Sequence, residues 1–195
     1  METIGFSFEL YPLLFTIVFV VLCSITYMVL RINKKNYSTK QLFFLGSTIF
    51  YLLSVFKLTL LPIIIRFNKE AYPDVPWDYY YQLVPFKTIL SAFEYGNDFQ
   101  VFGNLLILLP LPILLGLLKN GASTFIKSLI LVFTVSLSIE LVQLVINFTT
   151  GVPNKVADID DLILNTIGGV IGWFLIKLYL LIIKENRTSR RSVSN

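Results

Sequence analysis

Five long apolar stretches constrain the fold of this chain more than any other feature of its sequence. A transmembrane helix needs roughly 20 mostly apolar residues, whereas a barrel strand needs about 10 alternating ones. Backbone polar groups in lipid must be satisfied within their own segment, so each stretch is predicted to be a helix. The stretches cover residues 8–31, 41–65, 100–118, 124–148 and 161–183. The sequence therefore predicts an all-α fold, a polytopic membrane helical bundle with about five transmembrane helices.

The amino-acid composition agrees with a membrane protein. Of 195 residues, 55% are hydrophobic and only 14% are charged, whereas a soluble domain carries about 25% charged residues. This disfavours the alternative of a very apolar soluble bundle. The residues around the start of the first stretch include Glu2 and Glu9 and no Lys or Arg. That is the wrong charge for a signal peptide, so the stretch is expected to be a retained span.

Two residue types limit the chemistry that is open to the chain. There is no histidine, which excludes His-based acid–base catalysis and His-ligated metals. Cys23 is the only cysteine and lies within the first stretch, so no internal disulfide can form.

Basic residues near the span ends predict the orientation. Lys and Arg concentrate in cytoplasmic loops of membrane proteins. Ten of the 16 basic residues lie after the first span, after the third span and in the tail: Arg31, Lys34, Lys35, Lys40, Lys119, Lys127, Lys184, Arg187, Arg190 and Arg191. The C-terminus is therefore predicted to be cytoplasmic, with the N-terminus and the loops 66–99 and 147–160 outside. The net charge of +4 is attributed to topology and not to nucleic-acid binding, because no basic stripe alternates with exposed aromatic residues.

The chain divides by composition into three parts. Residues 1–40 form the first span and a cytoplasmic loop, residues 41–183 form one transmembrane domain, and residues 184–195 form a polar tail that is predicted to be disordered. Within the long outer loop, apolar residues after Pro85 recur with the period of an amphipathic helix: Phe86, Ile89, Leu90 and Phe93. This pattern predicts one interfacial helix on the outer leaflet. The alternative is an ordinary loop anchored by aromatic side chains.

Polar residues from four spans are predicted to meet near the outer leaflet. On the fourth span, Ser136, Glu140, Gln143 and Asn147 share one helical face. Charged groups inside a membrane usually face the bundle interior or a water-filled cavity. Lys57 and Glu140 have opposite charge and similar predicted depth, so they are expected to pair. The candidate polar site comprises Lys57, Asn104, Glu140, Gln143, Asp158, Asp160, Asp161 and Asn165.

Structural explanations compete with a binding site for several of these residues. The three aspartates are also consistent with a solvated loop end, and Asp160 with a cap on the fifth span. Amides within spans commonly form hydrogen bonds between helices. Gly168 and Gly172 are spaced for close helix packing, and this is the favoured interpretation of both glycines.

Four motifs, in this order, resemble the VanZ-like family, which is named after a protein associated with teicoplanin resistance. The motifs are "QLVPFKTI", "GNLLILLPLPILLG", "SIELVQL" and "ADIDDLILNTIGGVIG". They carry the family's pattern onto Asn104, Pro110, Glu140, Gln143, Asp158, Asp160, Asp161, Asn165 and Gly168. The family commonly has Phe at the position of Leu108 and Gly at the position of Pro112. It also often has Arg shortly before the acidic motif, where this chain has only Lys155 nearby. The second proline predicts a kinked or locally unwound third span.

The resemblance implies an integral membrane protein of a family whose namesake is linked to glycopeptide resistance, and two interpretations of its function remain open. In the first, the protein sits in the lipid bilayer and binds or modifies a cell-envelope component, such as a lipid-linked precursor or a glycopeptide. In the second, it is an intramembrane enzyme acting on a lipid-linked substrate. Asp158, Asp160 and Asp161 would then hold a divalent cation such as Mg²⁺, and Glu140 would act as a base. A small-solute transporter is less favoured, because the chain has no internal repeat.

The predicted topology can be tested by cysteine labelling in intact cells. We expect an impermeant thiol reagent to label Pro76→Cys, in the predicted outer loop, and to spare Asn36→Cys, in the predicted cytoplasmic loop. Both variants are made in a Cys23→Ser background, and labelling is quantified on the purified protein. Strong labelling at position 36 with none at position 76 would contradict this orientation.

Overall fold

The computed structural model describes residues 5–34, 37–66, 75–119 and 121–193, with side chains in the last helix described as far as residue 184. Lys35 and position 36, which enter the topology prediction, lie outside the described residues, as do residues 67–74 of the predicted outer loop.

Five helical segments are long and apolar enough to cross a membrane, which confirms the predicted all-α membrane bundle. They are Pro12–Ile32, Thr39–Leu60, Asp98–Leu118, Phe125–Thr150 and Ile159–Lys184. The helices, in chain order, are α1 Pro12–Ile32, α2 Thr39–Leu60, α3 Lys87–Glu94, α4 Asp98–Ile107, α5 Pro110–Leu118, α6 Phe125–Thr150 and α7 Ile159–Val193. Helix α3 is the short helix predicted after Pro85, and its place at a membrane surface stays a prediction. The backbone of α7 continues to Val193, into the segment whose composition predicts disorder.

The second span is shorter than predicted, because its last apolar residues form a strand. Helix α2 ends at Leu60, and strand β2 (Ile63–Arg66) pairs antiparallel with strand β1 (Gly5–Phe8). Pro62 explains the break, since proline disfavours helical conformation in the preceding residue, and Leu61 is extended. The predicted stretch 41–65 was wrong at this end because the isoleucines after Pro62 continue the apolar run without a polar residue.

The third span is interrupted at Leu108 and Leu109, between α4 and α5, as the two prolines predict. Pro110 and Pro112 have no N–H, so the regular helical ladder cannot continue across them. The Leu111 amide donates to Leu108 O at 3.2 Å instead of bonding one residue further back. The Tyr51 hydroxyl of α2 donates to the freed Ile107 carbonyl at 2.8 Å. The interruption is thus compensated by a side chain from a neighbouring span.

Helix α7 is the element against which α4, α5 and α6 pack. Gly168 lies against the backbone carbonyl oxygen of Leu105, before the interruption, and Gly172 lies against that of Leu109, within it. A side chain at either glycine would occupy the position of those oxygens. The missing Cβ atoms therefore let the two backbones approach closely, as small residues do in membrane bundles.

Helix α1 lies at the edge of the bundle. None of its residues is buried, and it packs against α2. A small apolar cluster at its start includes Leu10, Leu53 and Leu61. The polar residues of the predicted site therefore sit among the other spans.

Substitution of Gly168 tests the close approach of α7. Gly168→Ala is expected to destabilise the protein by about 1–3 kcal/mol, because the new Cβ overlaps the Leu105 carbonyl oxygen. The measurement is the melting temperature of the purified protein in detergent. Gly46→Ala in α2 is the matched control, since nothing lies within 4 Å of that Cβ, and helix propensity alone predicts a gain of about 0.5–1 kcal/mol. Equal melting temperatures for the two variants would contradict this packing.

Candidate functional site

A polar cavity of about 390 Å³ lies at the end of the bundle where α2 and α6 end and α4 and α7 begin. We call it the polar cavity. Most of the predicted site residues line it: Asn104, Glu140, Gln143, Asp158, Asp161 and Asn165. Polar residues that the sequence analysis did not assign to the site also line it: Thr59, Gln100, Asn154 and Lys155.

The predicted polar face of α6 is buried along its whole length. Ser136, Glu140, Gln143 and Asn147 are all buried, as their spacing requires. Two of them bond to other elements directly beside the polar cavity. Glu140 Oε2 accepts the Asp158 amide at 2.8 Å, and Gln143 Nε2 donates to the Thr59 carbonyl at 2.9 Å. The α6 face therefore holds the end of α2 and the start of α7 in register.

Asn147 folds the loop between α6 and α7 back over the polar cavity. Its side chain is fully buried. Its Nδ2 donates to Lys155 O at 2.6 Å and to Tyr80 O at 3.2 Å, and its Oδ1 accepts the Asn154 amide at 2.9 Å. These bonds place Lys155 at the lining of the cavity. The sequence contained a hint of this, because the resemblance implies an Arg shortly before the acidic motif, and Lys155 is the basic residue near it.

Asp158 connects the loop before α3 to the start of α7. Strand β3 (Tyr81–Gln82) pairs in parallel with strand β4 (Ala157–Asp158). Asp158 Oδ2 accepts the Thr88 hydroxyl at 2.5 Å, and Oδ1 accepts the Asp160 amide at 2.9 Å. The side chain is buried, and the residue lines the polar cavity.

Asp160 has a different role from the predicted one. It is fully buried and is not among the residues that line the polar cavity. Its carboxylate accepts the backbone amides of Phe86, Thr88 and Ile89 at 2.5, 2.8 and 3.1 Å. It therefore caps α3, which is distant in sequence, and not α7, in whose first turn it lies. The sequence showed a capping residue but contained nothing to say which helix it caps.

Asp161 links α7 to α4. The Asn104 side-chain amide donates to Asp161 Oδ1. Both residues line the polar cavity, and each lies within about 9 Å, along its own helix, of the residue that begins that helix. This bond joins the same two helices, α4 and α7, whose close packing Gly168 permits.

The predicted pair of Lys57 with Glu140 is wrong. Lys57 is not among the residues that line the polar cavity, and its Nζ lies 5.9 Å from the centre of the Phe15 ring of α1. The buried residues Val55 and Thr59 face the bundle. A residue two positions from each points to nearly the opposite side of a helix. The cation at the polar cavity is Lys155, which comes from a loop.

The predicted metal site also lacks support. Asp160 is bonded by three backbone amides, Asp161 by Asn104 and Asp158 by Thr88. The three carboxylates thus have separate partners. Within the described ranges, no group of three His, Cys, Asp or Glu side chains is placed to hold a metal ion.

Two buried oxygens of the polar cavity have no partner. Gln143 Oε1 and Asn165 Oδ1 form no hydrogen bond within the part of the chain that the structure describes. Both residues line the cavity and are more than nine-tenths buried, at 6% and 2% exposure. An unsatisfied buried acceptor costs about 1–3 kcal/mol. A water molecule fills about 30 Å³, so the cavity has room for a ligand group of several heavy atoms that would satisfy both oxygens.

Asparagine substitutions distinguish the structural role of Asp160, which caps α3, from that of Asp161, which lines the polar cavity. Asp160→Asn is expected to lose about 1–3 kcal/mol of stability, because its NH₂ group would face backbone N–H donors. Asp161→Asn retains an oxygen for the Asn104 amide and is expected to fold normally. Membrane-fraction protein level and melting temperature are measured for both. A stable Asp160→Asn protein beside an unstable Asp161→Asn protein would reverse the assignment.

A family model described as VanZ/LLP1 matches residues 48–182. The match begins within α2, so α1 lies outside it, and it includes every residue that lines the polar cavity. No curated protein and no solved structure matches the chain. The family match covers most of the chain and agrees with the membrane-span helices and the four motifs, so this protein belongs to the VanZ-like (VanZ/LLP1) family.

Proposed function

We propose that this protein is a membrane receptor for a cell-envelope component, whose polar group it binds in the polar cavity at the outer side of the membrane. The observation that supports the proposal is the pair of unpartnered oxygens, Gln143 Oε1 and Asn165 Oδ1. Orphaned acceptors in a bundle core are costly unless something else bonds them. A binding site explains that cost, whereas helix packing alone does not.

The proposed outward orientation rests on the positions of the basic residues. If Lys119 and Lys127 lie in the cytoplasm, then the end of α6 and the start of α7 lie outside, and the polar cavity opens near the outer leaflet. Lipid-linked envelope precursors are displayed on that side, and glycopeptides act there. Binding such a component would mask it from the drug. We propose on this basis a contribution to glycopeptide (teicoplanin) resistance, which the family name suggests.

Apolar residues around α3 suit a protein that takes its ligand from the membrane surface. Leu83, Phe86, Leu90 and Phe93 are each more than half exposed. Such a face is favourable against lipid and unfavourable against water. Because Asp160 and Asp158 bond to this segment, α3 is held directly beside the polar cavity.

The alternative of a metal-dependent enzyme has less support. It requires Asp158, Asp160 and Asp161 to share one cation, and Asp160 is occupied by backbone amides. Glu140 is similarly engaged with the Asp158 amide. The binding interpretation needs no rearrangement of these bonds.

Replacing Asn165 by leucine tests the proposal. Asn165→Leu removes the orphaned acceptor and is expected to leave the melting temperature unchanged or higher, because an apolar side chain of similar size has no unmet hydrogen bond. Function should nevertheless be lost. The assay is growth under teicoplanin of glycopeptide-sensitive cells that express the protein. We expect the variant to return susceptibility to the level of cells without the protein.

Lys57→Met is the matched control, because Lys57 is an intramembrane polar residue outside the polar cavity. It should retain the full phenotype. A stable Asn165→Leu protein with full protection would contradict the proposal, as would equal loss in both variants.

A further inference from the structure

The chemistry of the polar cavity indicates which kind of group it accepts. Its lining is rich in hydrogen-bond acceptors: the carboxylates of Glu140, Asp158 and Asp161 and the unpartnered carbonyl oxygens of Gln143 and Asn165. Lys155 is the one cation among the described residues that line it. Three acidic side chains beside one lysine favour a positively charged guest, because a cation next to the acids stabilises their ionised forms. Two carbonyl oxygens without described donors favour a guest with N–H groups.

The helix ends do not reverse this preference. Helices α4 and α7 begin at the cavity end of the bundle, whereas α2 and α6 end there. The positive ends of two helix dipoles are therefore offset by the negative ends of two others. The sign of the electrostatic potential in the polar cavity therefore depends on the side chains, which favour a cation.

An apolar groove adjoins the polar cavity. It has a volume of about 290 Å³ and lies between α6 and the start of α7, where its wall includes Leu137, Leu141, Leu144 and Leu162. Glu140 and Asp158 border both spaces. From Leu137 to Phe148 the groove follows α6 for about 16 Å, close to the roughly 15 Å of hydrocarbon in one leaflet. A lipid chain therefore fits the groove in both polarity and length.

We infer that the ligand is an amphiphile with a primary ammonium group, which binds in the polar cavity while its hydrocarbon chain lies in the α6–α7 groove. The inference rests on the proposed binding function and narrows it to one ligand class. An ammonium group has three N–H donors, enough to bond Gln143 Oε1, Asn165 Oδ1 and a carboxylate together. A phosphate or carboxylate head has no donor for the two orphaned oxygens and would face the carboxylates at close range.

The test uses radiolabelled decylamine and the full-length protein in phosphatidylcholine nanodiscs, with empty nanodiscs as background. Unlabelled competitors change one property at a time: decyl phosphate reverses the charge, decyltrimethylammonium keeps the charge but has no N–H donor, and ethylamine lacks the chain. We expect saturable binding of decylamine and competition at least about tenfold weaker from each of the other three. Decyl phosphate and decyltrimethylammonium lose charged hydrogen bonds, each worth about one factor of ten or more. Ethylamine keeps those bonds but loses the apolar contacts of the chain with the groove.

Variants test whether the ammonium group binds in the polar cavity and the hydrocarbon chain in the α6–α7 groove. Gln143→Leu and Asn165→Leu remove the orphaned oxygens and should each weaken decylamine binding about tenfold. Leu144→Trp fills the groove and should weaken decylamine more than ethylamine. The control is Leu178→Trp, on the exposed side of α7 and away from both spaces, which should bind decylamine as the unmodified protein does.

Three results would overturn the inference. Decyl phosphate competing as well as decylamine would make the site anion-selective, and the proposed binding function would stand with a different ligand. Decyltrimethylammonium competing equally would show that charge alone decides. Failure of every probe to bind saturably would also overturn it, and the teicoplanin phenotype of Asn165→Leu then decides separately whether the proposed function survives.

Discussion

A polar group surrounded by hydrocarbon has no water to bond, and this constraint organises the cavity end of the bundle. The buried side chains there act mainly on backbone groups that regular helices leave open. Asp160 satisfies three amides at the start of α3, and Asn147 satisfies two carbonyls and an amide of the loops. Tyr51 does the same for the carbonyl freed by the interruption of the third span. Without these bonds the non-helical segments over the polar cavity would be too costly to keep in lipid.

Against this background the orphaned oxygens of Gln143 and Asn165 are informative. Among the described residues one further buried side-chain oxygen, Ser136 Oγ, also lacks a partner, and Ser136 is not among the residues that line the polar cavity. The cavity therefore holds two of the three unpartnered oxygens. These two face a space of about 390 Å³ whose other walls carry three carboxylates and one lysine. A binding site would have this arrangement, because donors of a ligand would bond two oxygens that no described residue bonds.

Most of the residues that line the polar cavity could be predicted from the sequence, and the errors in that prediction have physical causes. The period of α6 placed Glu140 and Gln143 on a common face, and the spacing at the start of α7 placed Asp161 and Asn165 near each other. The predicted pairing of Lys57 with Glu140 was wrong because the depth of a residue along a helix does not determine which side of the helix it is on. The role predicted for Asp160 was wrong because a capping residue is identified by the backbone amides that it bonds. These amides belong to a helix about 70 residues earlier in the chain. Lys155 was missed as a lining residue because loop side chains have no period to follow.

The sequence by itself determined the membrane location, the number of spans, the interruption at Pro110 and Pro112, and the polar face of α6. All of these depend on composition or on spacing along one helix, which local chemistry controls. Only the tertiary structure decided that Asp160 serves α3, that Asn154 and Lys155 reach the polar cavity, and that Gln143 and Asn165 each leave an oxygen without a donor. These features depend on how separate segments meet. The contacts at Gly168 and Gly172 determine how closely the backbone of α7 approaches that of the third span. No pattern within a single segment predicts that distance.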